Sequence, residues 1–241
     1  MHVDVAIIGG TGVGNRLEAL GGKPYFIPTE HGILRGLRAD IGGKSVLLLR
    51  RHSAGHRVPP HRVNYRALAA GVRKVRAKMC LASAAVGSLR SDWPAGTLAL
   101  CSDFLDLTFR NPTMFDSKVV HTDFTEPFGV IGRGLIQRAA HDLEESLHDG
   151  AVYFCGNGPR YETPFEIEYY RKLGGDVVGM TAATEAILMR EAGVDYCCLS
   201  VVTNLAAGLS PTPLTHQEVE EEMNRSGGRA VNLFLKAIEL L

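Results

Sequence analysis

Short apolar runs bounded by turn residues recur along the chain, at 3–8, 45–49, 79–84, 97–101, 151–155, 176–179 and 196–202. Each has strand length and is rich in β-branched or other apolar side chains, so each is predicted as a strand. Between several of them the period becomes helical. Leu68, Val72 and Val75 share one face of 64–77, and Ile136, Ala139, Ala140 and Leu143 share one face of 135–147.

Three further helices carry readable starts. Thr163 is an N-cap, with Pro164 at the first helical position and Glu166 closing a capping box. A helix opens at Thr181 and ends at Gly193, a C-cap residue. Thr215 and Glu218 form a second capping box that opens a terminal helix. Strands alternating with helices predict an α/β fold, a single domain (1–241) with a central mixed β-sheet flanked by helices. The stretch 102–134 breaks the pattern. It has little periodicity and contains Pro112 and Pro127, as a functional or interfacial segment does.

Composition narrows the function classes. Hydrophobic residues make up 45% of 241, enough for a sizeable core. Lys plus Arg and Asp plus Glu balance at 26 each, which argues against a nucleic-acid partner. The first residues lack a basic n-region, and no window approaches a membrane-spanning apolar length, so neither a signal peptide nor a membrane is expected. Five cysteines without a C-x-x-C pair read as buried free thiols in a reducing cytoplasm.

Two stretches carry candidate chemistry. In "VAIIGGTGVGNR" a glycine turn follows a strand, yet Asn15 stands where a dinucleotide fingerprint needs its third glycine, and no Lys-Ser or Lys-Thr follows as a P-loop needs. A strand, a glycine turn and the Thr11 hydroxyl remain, which suits a single phosphate; a plain tight turn is the other reading. "RRHSAGHRVPPHRVNYR" gathers Arg50, Arg51, Arg57, Arg62 and Arg66 with His52, His56 and His61, directly after a strand. Ligands of α/β sheets bind at strand carboxyl ends, and guanidinium forks suit phosphate oxygens. A solvated basic loop is the plainer alternative. His52 and His56 are spaced i, i+4, but Gly55 and Pro59-Pro60 argue for a loop there, so no metal is expected.

Six motifs in order, "IIGGTG", "RHSAGHRVPPHRVNYRA", "ASAAVGSL", "GPRYET", "VVGMTAATEAILMRE" and "VVTNLAAG", resemble the purine nucleoside and methylthioadenosine phosphorylase family over nearly the whole chain. The resemblance implies that inorganic phosphate, a co-substrate, attacks the anomeric carbon of a purine nucleoside to give free base and ribose 1-phosphate. It also implies a homotrimer with sites at subunit boundaries and no metal or organic cofactor. Carried over residue by residue, Thr11, Arg51, His52, Ala84, Ala85 and Thr181 would hold phosphate. Met180 would pack under the sugar and Tyr161 beside the nucleoside. His121 would reach into the neighbouring subunit's site. The family usually has glycine where Ser53 follows Arg51-His52, and proline where Thr184 precedes Glu185.

The same resemblance distinguishes bases. Members acting on adenine nucleosides tend to have Asp at the position of Asn204 and a second Asp two residues on, where this chain has Ala206. An amide both accepts and donates, so Asn204 suits a protonated N7 and O6. Glu162 would accept the N1–H that hypoxanthine and guanine carry. Inosine and guanosine are therefore the expected substrates, with His52, Glu162 and Asn204 as the catalytic set. At the 5′ end the indications divide. His216 matches hydroxyl-preferring members, whereas the chain length and the "RH…H…P…NYRA" pattern resemble the methylthio branch, making methylthioinosine (or methylthioadenosine) the alternative. A non-catalytic nucleoside-binding module is the reading of another class.

Overall fold

The structure is a computed structural model that describes residues 2–210 and 213–241, without the side chain of His56. The chain runs β1 (Val5–Gly9), α1 (Val13–Ala19), β2 (Lys23–Thr29), β3 (Gly32–Ile41), β4 (Lys44–Arg50), α2 (Tyr65–Lys74), β5 (Met79–Ser88), β6 (Leu98–Asp106), α3 (Val130–Asp142), β7 (His148–Cys155), α4 (Pro164–Lys172), β8 (Val177–Gly179), α5 (Ala182–Glu191), β9 (Asp195–Leu205) and α6 (His216–Glu239). The strands form one mixed sheet in the order β2-β3-β4-β1-β5-β8-β7-β6-β9, and β9 returns to pair with β5. Five strands thus close a ring, and the other four extend from it.

Strand periodicity divides the interior in two. Ala6 and Ile8 of β1 join a core with Leu68 and Val72 of α2 and Ala186 and Met189 of α5. Val5 and Ile7, pointing the other way, join Leu17 of α1, Ile136 of α3 and Phe234 of α6. A strand buried on both faces reads as an unbroken apolar run, which is why β1, β4, β5 and β9 are plain in the sequence.

Helix ends follow the expected chemistry. Both capping boxes are formed, Thr163 with Glu166 and Thr215 with Glu218. Asn64 Oδ1 caps α2 by accepting from the Ala67 N–H (3.0 Å). Gly193, at φ +73, takes the left-handed position past α5: its N–H donates to the Arg190 carbonyl and that of Val194 to Met189.

Four features depart from expectation. The β2–β3 hairpin is absent from the apolar runs because both strands are largely solvent-facing and β2 carries Pro24 and Pro28. α3 starts at Val130 rather than 135, since its first turn turns Val130 and Ile131 outward and the core-facing period begins only at Leu135. β6 runs on to Asp106 through alternately exposed positions paired with β7. The irregular segment therefore narrows to 107–129. The helix α1, directly after the glycine turn, was also outside the expected set. All five cysteines are buried and free, and burial pushes the Cys155 thiol up to about 12. Among the described residues no helix is long and apolar enough to cross a membrane.

Candidate active site

The carboxyl ends of β1, β4, β5 and β9, which run parallel, meet β8 around a cavity of about 390 Å³. Thr11, Arg51, His52, Ala84, Ala85, Tyr161, Glu162, Met180, Thr181, Asn204 and His216 all line it. Residues spread over most of the chain are brought together, where ligands of α/β sheets bind.

One end is built from the core outward. Glycine is required at position 10, because a β-carbon there would fall 2.6 Å from Arg51 Nη1 and 2.7 Å from the Ser83 carbonyl oxygen. The Gly10 N–H donates to Ser83 Oγ (3.1 Å), and Gly12, at φ +71, turns the chain into α1. Arg51 passes behind this turn. Its Nε and Nη2 donate to the two Glu185 oxygens (2.5 and 2.8 Å), and Nη1 donates to the Ser83 carbonyl (2.8 Å). The Tyr196 hydroxyl adds a 2.6 Å bond to Glu185. Both charged side chains are only 1% exposed. Burial opposes charge on the guanidinium, and the adjoining carboxylate more than offsets it, holding the Arg51 pKa above its ordinary value.

Two further groups complete this end. His52 Nδ1 lies 2.8 Å from the Val58 carbonyl, which only accepts, so Nδ1 carries the hydrogen there and the ring is fixed. Thr181 is the N-cap of α5 yet caps no N–H with its side chain. The positive end of that helix dipole therefore meets the cavity with a hydroxyl beside it, favourable for an anion.

The other end stands on loops. The β5–β9 pairing slips between Val86 and Gly87, leaving Thr203 as the extra residue of a bulge and bringing Asn204 into the cavity wall. The Thr203 hydroxyl donates to Asn204 Oδ1, and Asn204 Nδ2 donates to the Leu205 carbonyl, both at 2.8 Å. One amide N–H and one Oδ1 lone pair are left over. Glu162 is half-buried and accepts from no other side chain among the described residues; burial raises its pKa, with only its own N–H and Arg160 opposing. Its loop is held on one side by Arg160, bidentate to Glu166 at 2.8 Å. Arg160 and the Thr163 N–H in turn hold the Glu166 carboxyl down at about 2. Met180 forms wall between the two ends. His216, the first residue of α6, shares the cavity wall with apolar Pro60, Leu214 and Val219, and its Nε2 lies 3.4 Å from Glu220.

Some sequence features do not converge. The basic cluster disperses: Arg50 pairs with Glu18, Arg66 bidentately with Asp116 (2.7 and 2.9 Å), and only Arg51 and Arg57 of the five arginines reach the cavity. His56 lies outside the described side chains. His121 is exposed on the irregular segment and is no part of this chain's own cavity wall. Among the described residues no group of three or more His, Cys, Asp or Glu has metal-binding geometry. Glu185 escaped the sequence reading as a site component, although a carboxylate inside the apolar run "AATEAILM" already demanded a buried partner.

Residues 4–239 match the Phosphorylase superfamily. A probable S-methyl-5′-thioinosine phosphorylase of Methanopyrus kandleri is 41% identical over 240 residues, covering 99% of this chain and 93% of its own. The 6-oxopurine nucleoside phosphorylase of Pyrococcus furiosus is 38% identical, covering 98% and 92%. The structure of methylthioadenosine phosphorylase from Schistosoma mansoni in complex with adenine superposes with a TM-score of 0.92 at 28% identity, covering 99% and 91%. Fold, cavity and full-length relatives agree: the chain belongs to the purine nucleoside and methylthioadenosine phosphorylase family of the Phosphorylase superfamily.

Proposed function

We propose that this protein catalyses phosphorolysis of 6-oxopurine nucleosides, inosine and guanosine, to free base and ribose 1-phosphate. The observation that carries this reading is a single cavity lined by the Thr11 and Thr181 hydroxyls, a helix N-terminus, a carboxylate and an amide. Phosphate, already an anion, binds at Thr11, Thr181, His52 and the Ala84-Ala85 backbone; Arg51 adds its remaining N–H groups. One phosphate oxygen forms the bond to C1′ as the C1′–N9 bond breaks and its electron pair passes to the purine. The positive charge developing on the sugar is stabilised by the phosphate. N7 takes a proton from solvent as the base leaves; Asn204 accepts from that N7–H and donates to O6, while Glu162 accepts from N1–H. Adenine offers Glu162 a lone pair instead, and sites built on such bonds reject the wrong analogue strongly.

Apolar Pro60, Leu214 and Val219 in the same cavity wall as His216 favour a second reading at the 5′ end, S-methyl-5′-thioinosine, the substrate in the name of the Methanopyrus kandleri relative. Methylthioadenosine is set aside by Asn204. We place the protein in a reducing cytoplasm, consistent with its five unpaired cysteines. A homotrimer, in which His121 serves a neighbour's site, is supported by the exposed Val119, Val130 and Ile131 on and beside segment 107–129.

The test is purine release from inosine, methylthioinosine and adenosine, each with and without phosphate. Phosphate-dependent hypoxanthine release is expected, and the faster 6-oxo substrate decides the 5′ group. Asn204→Asp is expected to move the adenosine-to-inosine kcat/KM ratio up by roughly 10²-fold. An unchanged ratio overturns the base assignment, and binding of hypoxanthine without any turnover favours the binding module.

A further inference from the structure

Arg110 lies outside the cavity and outside every motif of the sequence, on the irregular segment that follows β6. Its guanidinium nevertheless reaches the loop bearing Tyr161 and Glu162, the Met180 wall and the first turn of α5. Nε donates to Asn157 Oδ1 (3.0 Å) and Nη2 to the Asn157 carbonyl (2.7 Å), at the start of the loop bearing Tyr161 and Glu162. Nη1 donates to Thr184 Oγ1 (3.0 Å) in the first turn of α5, with a longer reach of 3.4 Å to the Met180 carbonyl. The same guanidinium stacks 5.2 Å over the ring of Tyr65, whose hydroxyl donates to the carbonyl of Pro60 in the cavity wall (2.8 Å).

The backbone beside it is strained in the direction this role requires. Phe109 adopts φ +54, uncommon for a bulky residue, and its side chain is 95% exposed. The effect is to turn Phe109 outward and Arg110 inward; the Arg110 N–H is fixed by Thr108 Oγ1 (3.1 Å). Strain held in place by its surroundings commonly marks a functional position. Thr184, which stands where proline is usual, supplies a hydroxyl acceptor that proline lacks.

We infer that Arg110 is a positioning residue for the nucleoside: one planar fork fixes the Asn157–Glu162 loop, the Met180 wall and the first turn of α5 relative to one another. It touches no substrate itself. This deepens the proposed phosphorolysis and rests on that reading for its kinetic arm only. Lysine, a single point donor, cannot bridge Asn157 and Thr184 together, so charge alone does not substitute.

The test compares wild type with Arg110→Met and Arg110→Lys. In kinetics, the nucleoside KM is expected to rise roughly tenfold or more, and the phosphate KM, reached only through the first turn of α5, by a clearly smaller factor. In hydrogen exchange without any ligand, amides of 156–162 and 178–184 are expected to exchange faster while β1 and the 9–12 turn keep wild-type protection. Equal rises in both KM values, or exchange that is unchanged or raised uniformly, overturns the inference. If wild type fails to cleave any nucleoside, the functional reading falls and the exchange comparison alone decides the role of Arg110.

Discussion

The two ends of the cavity are built by opposite means. At the anion end the groups descend from central strands and a buried network: Arg51, Glu185 and Tyr196 satisfy one another inside the core, and Gly10 is flat against them. At the base end, Glu162 sits on a loop and accepts from no other side chain among the described residues, and Asn204 follows a bulge. If phosphate binds there as proposed, a fixed site suits a co-substrate that never varies. A base site on loops, with polar groups held partly in reserve, can change its reading by single substitutions without disturbing the core. Breaking each end should therefore register in different observables.

The largest effect is expected from Glu185→Gln. The substitution leaves the Arg51 charge buried with half of its partner gone, at a cost of about 3–5 kcal/mol in urea unfolding. A loss below about 1 kcal/mol would mean that Arg51 reaches water, and that the anion end is no more rigid than the base end.

Next comes Glu162→Gln, which should lower kcat/KM for inosine by roughly 10²- to 10³-fold. Its stability should move the other way. Burial raises this carboxyl's pKa, so the folded chain holds the proton more tightly than the unfolded one. The resulting penalty is absent below the ordinary value of 4.5 and develops as pH rises through the raised one. At neutral pH the amide removes that penalty, so Tm without ligand should hold or rise, and the gain should vanish in acid. A clear fall in Tm at pH 7 would contradict the lack of a side-chain donor to this group among the described residues.

The smallest change tests the loop that follows β4. Ser53 stands at φ 61 and ψ −176, a region populated almost only by glycine, at the position where glycine is usual. Ser53→Gly should raise unfolding stability by about 1 kcal/mol and leave the phosphate KM near wild type. A destabilised variant would show that the serine hydroxyl offsets the strain.

The legibility of the molecule tracks burial. Strands with both faces covered declare themselves as apolar runs, as in "VAIIG" and "SVLLL". Helices with polar caps declare their starts, as Thr163 and Thr215 do. The β2–β3 hairpin is silent because a half-exposed strand containing proline resembles a loop. Site residues embedded in long motifs, Thr11, Glu162 and Asn204 among them, could be placed by resemblance and meet in one cavity. Glu185 and Arg110 could not, since their partners lie far off in sequence, Arg51 and Asn157 respectively. The run "AATEAILM" shows that Glu185 needs a buried partner, but only the fold shows that the partner is Arg51.

The ring of strands also governs how the molecule meets copies of itself. Because β9 pairs back onto β5, one side of the sheet has no terminal strand to offer. The remaining rim is β2, where Pro24 and Pro28 lack the N–H groups that an incoming strand would need. Growth by adding strand to strand is thus blocked on one side and discouraged on the other. Any association must be made through side-chain surfaces, which can be matched to one partner and refused to the rest of a crowded solution.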